Sequence, residues 1–156
     1  MSVDLKLRLV GQSNVLNTLK LMMRRADEPS RLVARLAVIG FQDVMDHFRK
    51  EEGAKKSGDT PSSWARLSPI TIAYRRTGKG TGGHKILQDT GRLRGSIIPG
   101  TRGTRRAFVS TNLVYAATHQ YGRGNIPARP FLWISRSGLD KMVRVALDWV
   151  ARGRGL

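Results

Sequence analysis

The sequence predicts an α+β fold in which long N-terminal helices and a C-terminal helix pack on a small antiparallel sheet. Two observations carry that prediction. Apolar residues recur at helical spacing over 15–23, 32–48 and 139–150, and two short apolar runs, 96–98 and 107–110, flank a glycine-containing turn in the manner of a β-hairpin. A third observation bounds it: 156 residues with 40% hydrophobic content suffice for one core, so residues 1–156 are expected to form a single domain.

In chain order, Val3, Leu5, Leu7 and Leu9 alternate with Asp4, Lys6 and Arg8, a period of two that predicts a half-buried strand. Ser13 is placed to cap a first helix whose apolar positions are Val15, Leu16, Leu19, Met22 and Met23, with Arg24 and Arg25 at its dipole-negative end. Pro29-Ser30 opens a longer helix with the stripe Leu32, Val33, Leu36, Ile39, Gly40, Val44 and Phe48, which Gly53 is expected to end. Residues 53–63 are polar and turn-rich and read as a mobile loop. Ser68-Pro69 predicts a capped short helix from Pro69 to Arg76, and 77–85, with four glycines, reads as a flexible loop that orders on binding. The hairpin is expected to turn at Gly100-Thr101-Arg102-Gly103. Ser135 or Ser137 then caps a last helix that buries Leu139, Met142, Val143, Ala146, Leu147, Trp149 and Val150.

The densest stretch is 113–134. It holds Tyr115, Tyr121, Phe131 and Trp133, four of the ten aromatic residues, with His119 among them. A turn at Gly122–Asn125 interrupts it, and Pro127 and Pro130 bias their predecessors toward extended backbone, so an extended arm that docks onto something is expected. The arm's partner is either the chain's own core or another subunit. Trp64, Tyr115, His119, Tyr121, Arg129, Phe131 and Trp133 are therefore the candidate interface residues, with core packing as the competing role for each aromatic. The fork of Arg129 suits an intersubunit carboxylate.

Charge sets the expected partners. Lys and Arg total 28 against 11 Asp and Glu, a net +17, which calls for an anionic neighbour, nucleic acid or the acidic face of a protein. The basic residues are dispersed in pairs rather than concentrated on one helix. Arg75, Arg76, Lys79, Arg102, Arg105 and Arg106 are the candidates to face DNA or an acidic partner. Cysteine is absent, which removes disulfides and thiolate metal sites. No run approaches the roughly 20 apolar residues of a membrane helix, and the alternating N-terminus is unlike a signal peptide, so a soluble, cytoplasmic chain is expected.

Catalytic patterns are weak. The three histidines, His47, His84 and His119, fall in no metal-binding spacing, and no nucleophile elbow is present. TGKGTGG lacks the spacing and following helix of a phosphate loop. Asp43, Asp46 and His47 form a helical cluster that a small metal-dependent nuclease could use. No enzyme activity, cofactor or metal is expected.

Three stretches, in order and spacing, resemble a known family: Trp64-xx-Leu67-Ser68-Pro69-x-Thr71; Ile86-Leu87-x-Asp89-Thr90-Gly91-x-Leu93-xx-Ser96-Ile97; and Tyr115-Ala116-xx-His119-Gln120-Tyr121-Gly122 with Ile126-Pro127-Ala128-Arg129-Pro130-Phe131-Leu132. Together they look like the phage virion morphogenesis family. That family includes the tail-completion protein of P2-like phages and the G protein of Mu-like phages, and it is distantly similar to the neck proteins of HK97-type siphophages. The resemblance implies a structural virion protein at the head–tail junction, made in the host cytoplasm, that completes the tail or neck and enables head–tail joining. It implies a homo-oligomeric ring, commonly sixfold. The neighbours would be head-connector and tail-terminator or tail-tube proteins, with packaged DNA passing through. The alternative is a non-specific DNA-binding protein that uses the dispersed basic pairs.

Overall fold

A computed structural model describes residues 12–55, 58–79 and 84–153, and the strand predicted over 3–10 lies outside the described residues. The described elements are α1 (Gln12–Asp27), α2 (Ser30–Lys50), β1 (Glu52–Lys55), β2 (Gly58–Ser63), α3 (Pro69–Tyr74), α4 (Arg92–Gly95), β3 (Ile98–Arg102), β4 (Arg106–Ser110), α5 (Ala116–Tyr121) and α6 (Arg136–Arg152). A π-helical turn, Arg75–Lys79, extends α3. The chain is α+β, as its sequence predicts, and its described strands form two separate antiparallel pairs, β1–β2 and β3–β4.

Helix α2 is the axis. Its predicted stripe is largely buried, with Val44 and Phe48 entering a core that also holds Trp64, Ile86, Leu93, Ile97, Ala116 and Phe131. The β3–β4 hairpin and α6 pack along α2, and α1 lies against α6. At the far end of α1, Arg25 donates to the carbonyls of Val150 and Ala151, supplying donors to the C-terminal end of α6. The other end of α6 is tied to α2: Asp43 accepts from both the backbone N–H and the hydroxyl of Ser135, at 2.7 Å each. Ser135, one of the two predicted caps, in turn accepts from the Gly138 N–H.

Several boundaries differ from the sequence expectation, each for a physical reason. Helix α1 already includes Ser13 rather than starting after it. Helix α2 ends at Lys50, before Gly53, because Glu51 adopts the left-handed conformation and closes the helix through its N–H to His47 O. Gly53 instead lies in β1, where a Cβ would fall onto Pro130 O and the Trp64 indole nitrogen. Within 53–63, expected as a mobile loop, residues 53–55 and 58–63 belong to the antiparallel strands β1 and β2. The base of the pair is pinned where the Trp64 N–H reaches Glu51 O at 2.8 Å. Polar composition concealed these strands.

Ser68 caps α3 as predicted, accepting from the Thr71 N–H, but the α-helical part stops at Tyr74 and the π-helical turn carries the chain to Lys79. The second hairpin turns at 103–105, later than expected, with Gly100 and Arg102 inside β3 and opposite Phe108 and Arg106. The faces predicted to be buried on α1 and α6 are only partly so. Leu16, Leu19 and Met23 of α1 and Leu139, Val143 and Leu147 of α6 keep 46–66% of their surface exposed.

Candidate functional site

The arm beginning at Ile126 docks on the chain's own body, and Gln120 is the clasp. Its carbonyl oxygen accepts from the backbone N–H groups of Phe131 and Leu132 at 3.0 Å each, and its amide donates to Leu132 O at 3.2 Å. One side chain thus acts as a strand partner for two residues of the arm. The Arg129 N–H reaches His119 O at 2.7 Å, so α5 and the arm are joined at two adjacent residues. Gly122 makes the reversal possible: its φ of +77° is left-handed, and a Cβ there would press on Ala128 and Ile126 backbone atoms.

Beyond the clasp, the arm completes the core. Phe131 is fully buried against Phe48, and the Trp64 indole donates to Pro130 O at 2.9 Å while its ring meets Phe48 edge-on. Trp133 stacks on His47 with ring centroids 4.8 Å apart. Trp64, Phe131 and Trp133 are therefore committed within the chain. Tyr121 is 79% exposed and Tyr115 lies at the surface, in an edge-to-face contact with His119.

Arg129 is only 7% exposed, and its Nε and Nη2 donate to the carbonyls of Ala65 and Arg66 at 2.9 and 3.0 Å. This guanidinium, read from the sequence as an intersubunit fork, cross-links two segments of its own chain. Arg75 is buried as well. It donates to Lys85 O at 2.9 Å and lies 3.5 Å from Asp89. Burial, reinforced by the nearby Arg75 charge, lowers the pKa of Arg129.

These side chains surround a cavity of about 510 Å³. Each of the three sequence stretches singled out above contributes a wall. Leu67, Ser68 and Thr71 come from the first, and Leu87, Asp89 and Leu93 from the second. The third supplies Tyr115, His119, Ile126 and Arg129. His119 carries a lowered pKa, from burial first and from the Arg129 charge second, and its Nδ1 is enclosed with no hydrogen-bond partner. Sequence reading missed Gln120, Arg66 and Asp89 as members of this region. A shared spacing within the three stretches was the only signal, and it does not say that they meet.

The remaining candidates disperse. Arg76 is exposed outside this cavity, and Lys79 ends the π-helical turn. Arg102, Arg105 and Arg106 are exposed together at the tip of the β3–β4 hairpin. The helical cluster of Asp43, Asp46 and His47 makes contacts within the chain, among them Asp46 with Arg49 at 2.7 Å. Asp43 holds Ser135, while His47 is buried under Trp133 with its Nε2 3.3 Å from Trp133 O. Among the described residues, no three His, Asp or Glu side chains are grouped to hold a metal ion, and no helix is long and apolar enough to cross a membrane.

The described residues thus form an α+β body with a cleft lined by four arginines and two helices whose apolar faces are partly uncovered. The chain belongs to the phage virion morphogenesis family, whose model matches residues 10–151. No curated protein and no solved structure matches it.

Proposed function

We propose that this protein is a non-enzymatic structural subunit of the phage head–tail junction, which completes the tail or neck and assembles as a ring. Family membership supports the virion role. The observation that carries the assembly role is the pair of apolar stripes left at the surface, Leu16, Leu19 and Met23 on α1 and Leu139, Val143 and Leu147 on α6. Spacings of three and four residues align each set along one helix face, and an exposed apolar face of that kind marks a protein contact.

Electron microscopy of lysates from a phage lacking this gene tests the reading. Full heads lying apart from finished tails are expected. Tails of irregular length would move the role to tail termination, and normally joined virions would overturn it.

A second reading rests on the hairpin tip. Arg102, Arg105 and Arg106 present three exposed cations in one place, a suitable contact for passing duplex DNA.

A further inference from the structure

The cavity that the three stretches build has an unbalanced charge. Arg66, Arg75, Arg92 and Arg129 line it, with Asp89 as the one carboxylate among its lining residues. Leu67, Leu87 and Ile126 give it apolar walls. A concave site of this volume, apolar with a few fixed polar groups, is suited to a small ligand or one or two peptide side chains.

We propose that the cavity docks an acidic segment of a neighbouring protein, seating one carboxylate on its arginines and an adjacent apolar side chain against Leu67 and Ile126. This rests on the assembly role above only in that the occupant belongs to a neighbouring protein.

Three observations favour that occupant. The Arg129 guanidinium is held in place by the carbonyls of Ala65 and Arg66, so little side-chain freedom remains to be lost on binding. Asp89, 3.5 Å from Arg75, is the one carboxylate among four lining arginines, so an incoming carboxylate meets a wall of net positive charge. The chain itself is poor in acids, with 11 against 28 basic residues, so charge complementarity points to a different, acidic protein rather than a second copy. Duplex DNA fits less well. Its phosphates lie on a convex surface and meet protruding side chains such as those of the β3–β4 tip, whereas Arg129 is set back inside a recess.

The test is an NMR titration of the full-length ¹⁵N-labelled protein, reading arginine Nε–H and histidine ring resonances. The probes are N-acetyl-Leu-Asp-Leu-amide, its Asn counterpart, inorganic phosphate and a random duplex. The Asp peptide is expected to shift the Arg129 Nε–H and His119 signals, with the Asn peptide at least about tenfold weaker, since only the charged acceptor gains a charge-assisted bond. Arg92 is exposed, so Arg92→Gln should leave the thermal midpoint unchanged and weaken the Asp peptide several-fold. Equal shifts from the two peptides, no shift from either at about 10 mM, or a stronger response to phosphate or duplex would overturn the proposal. These readouts do not depend on virion phenotype, so failure here and failure of the head–tail role are separate results.

Discussion

Gln120 holds three hydrogen bonds to the arm backbone, and its loss would strip partners from two N–H groups and one carbonyl in a partly buried seam. Gln120→Ala is expected to destabilise the protein by about 3 kcal/mol, because each unsatisfied buried group carries a penalty of roughly 1–3 kcal/mol. Urea denaturation measures this, and a midpoint equal to that of the native chain would show that the clasp is dispensable. His47 and His119 make a second prediction. Burial lowers both imidazole pKa values from 6.5, in His47 despite the opposing pull of Asp43, Glu52 and the Trp133 carbonyl, with Lys50 adding to the lowering. Arg129 adds to the lowering in His119. The unfolded chain therefore takes up these protons first, so stability is complete above the ordinary imidazole value and falls as pH drops below it. The urea midpoint should decrease between roughly pH 7.5 and roughly pH 5.5, a window above most carboxylate titration. A flat or rising midpoint would contradict it.

At the scale of elements, the helices divide by how their apolar faces are used. The stripe of α2 was legible in sequence because most of its members are buried within the chain. The stripes of α1 and α6 have the same periodicity but remain half uncovered, and periodicity alone does not distinguish a face that meets its own core from one that meets another molecule. Leu147 is 65% exposed, so Leu147→Glu should change folding stability by no more than about 0.5 kcal/mol. In a complementation assay the same change should reduce phage titre sharply, since a buried charge at an interface anchor removes roughly 2 kcal/mol or more. Full complementation by a normally folded Leu147→Glu protein would remove α6 from the assembly surface. The β1–β2 pair was hidden for the opposite reason. Its strands, EGAK and GDTPSS, carry almost no apolar signal, and backbone pairing with anchorage at Trp64 holds them. Caps were easier to read: Ser68 and Ser135 act locally, within three residues of the groups they satisfy.

Across the whole molecule, the cavity was only half legible. Its wall residues sit in three stretches whose order and spacing stand out in the sequence, yet their convergence depends on pairings over 63 or more positions, such as Arg129 with Ala65 and Arg66. An extended aromatic arm also looks the same in sequence whether it docks inward or outward. Phe131 and Trp64 went inward, leaving Tyr115 and Tyr121 at the surface. The net charge of +17 raises the expectation of an anionic partner and does not place a contact for it.

Arg25 and Arg129 donate to backbone carbonyls far along the chain, and Arg75 donates to the carbonyl of Lys85, ten residues on. In a protein with few carboxylates, cations serve as cross-links between peptide dipoles. Such direct bonds to neutral carbonyls are weakly affected by dissolved ions, whereas attraction between a basic surface and an acidic or nucleic-acid partner is screened over about 8 Å at physiological ionic strength. Folding and docking therefore respond differently to salt. For the proposed docking, concentrated electrolyte is expected to release the partner while leaving the subunit intact, so that the proposed assembly would be reversible without unfolding its parts.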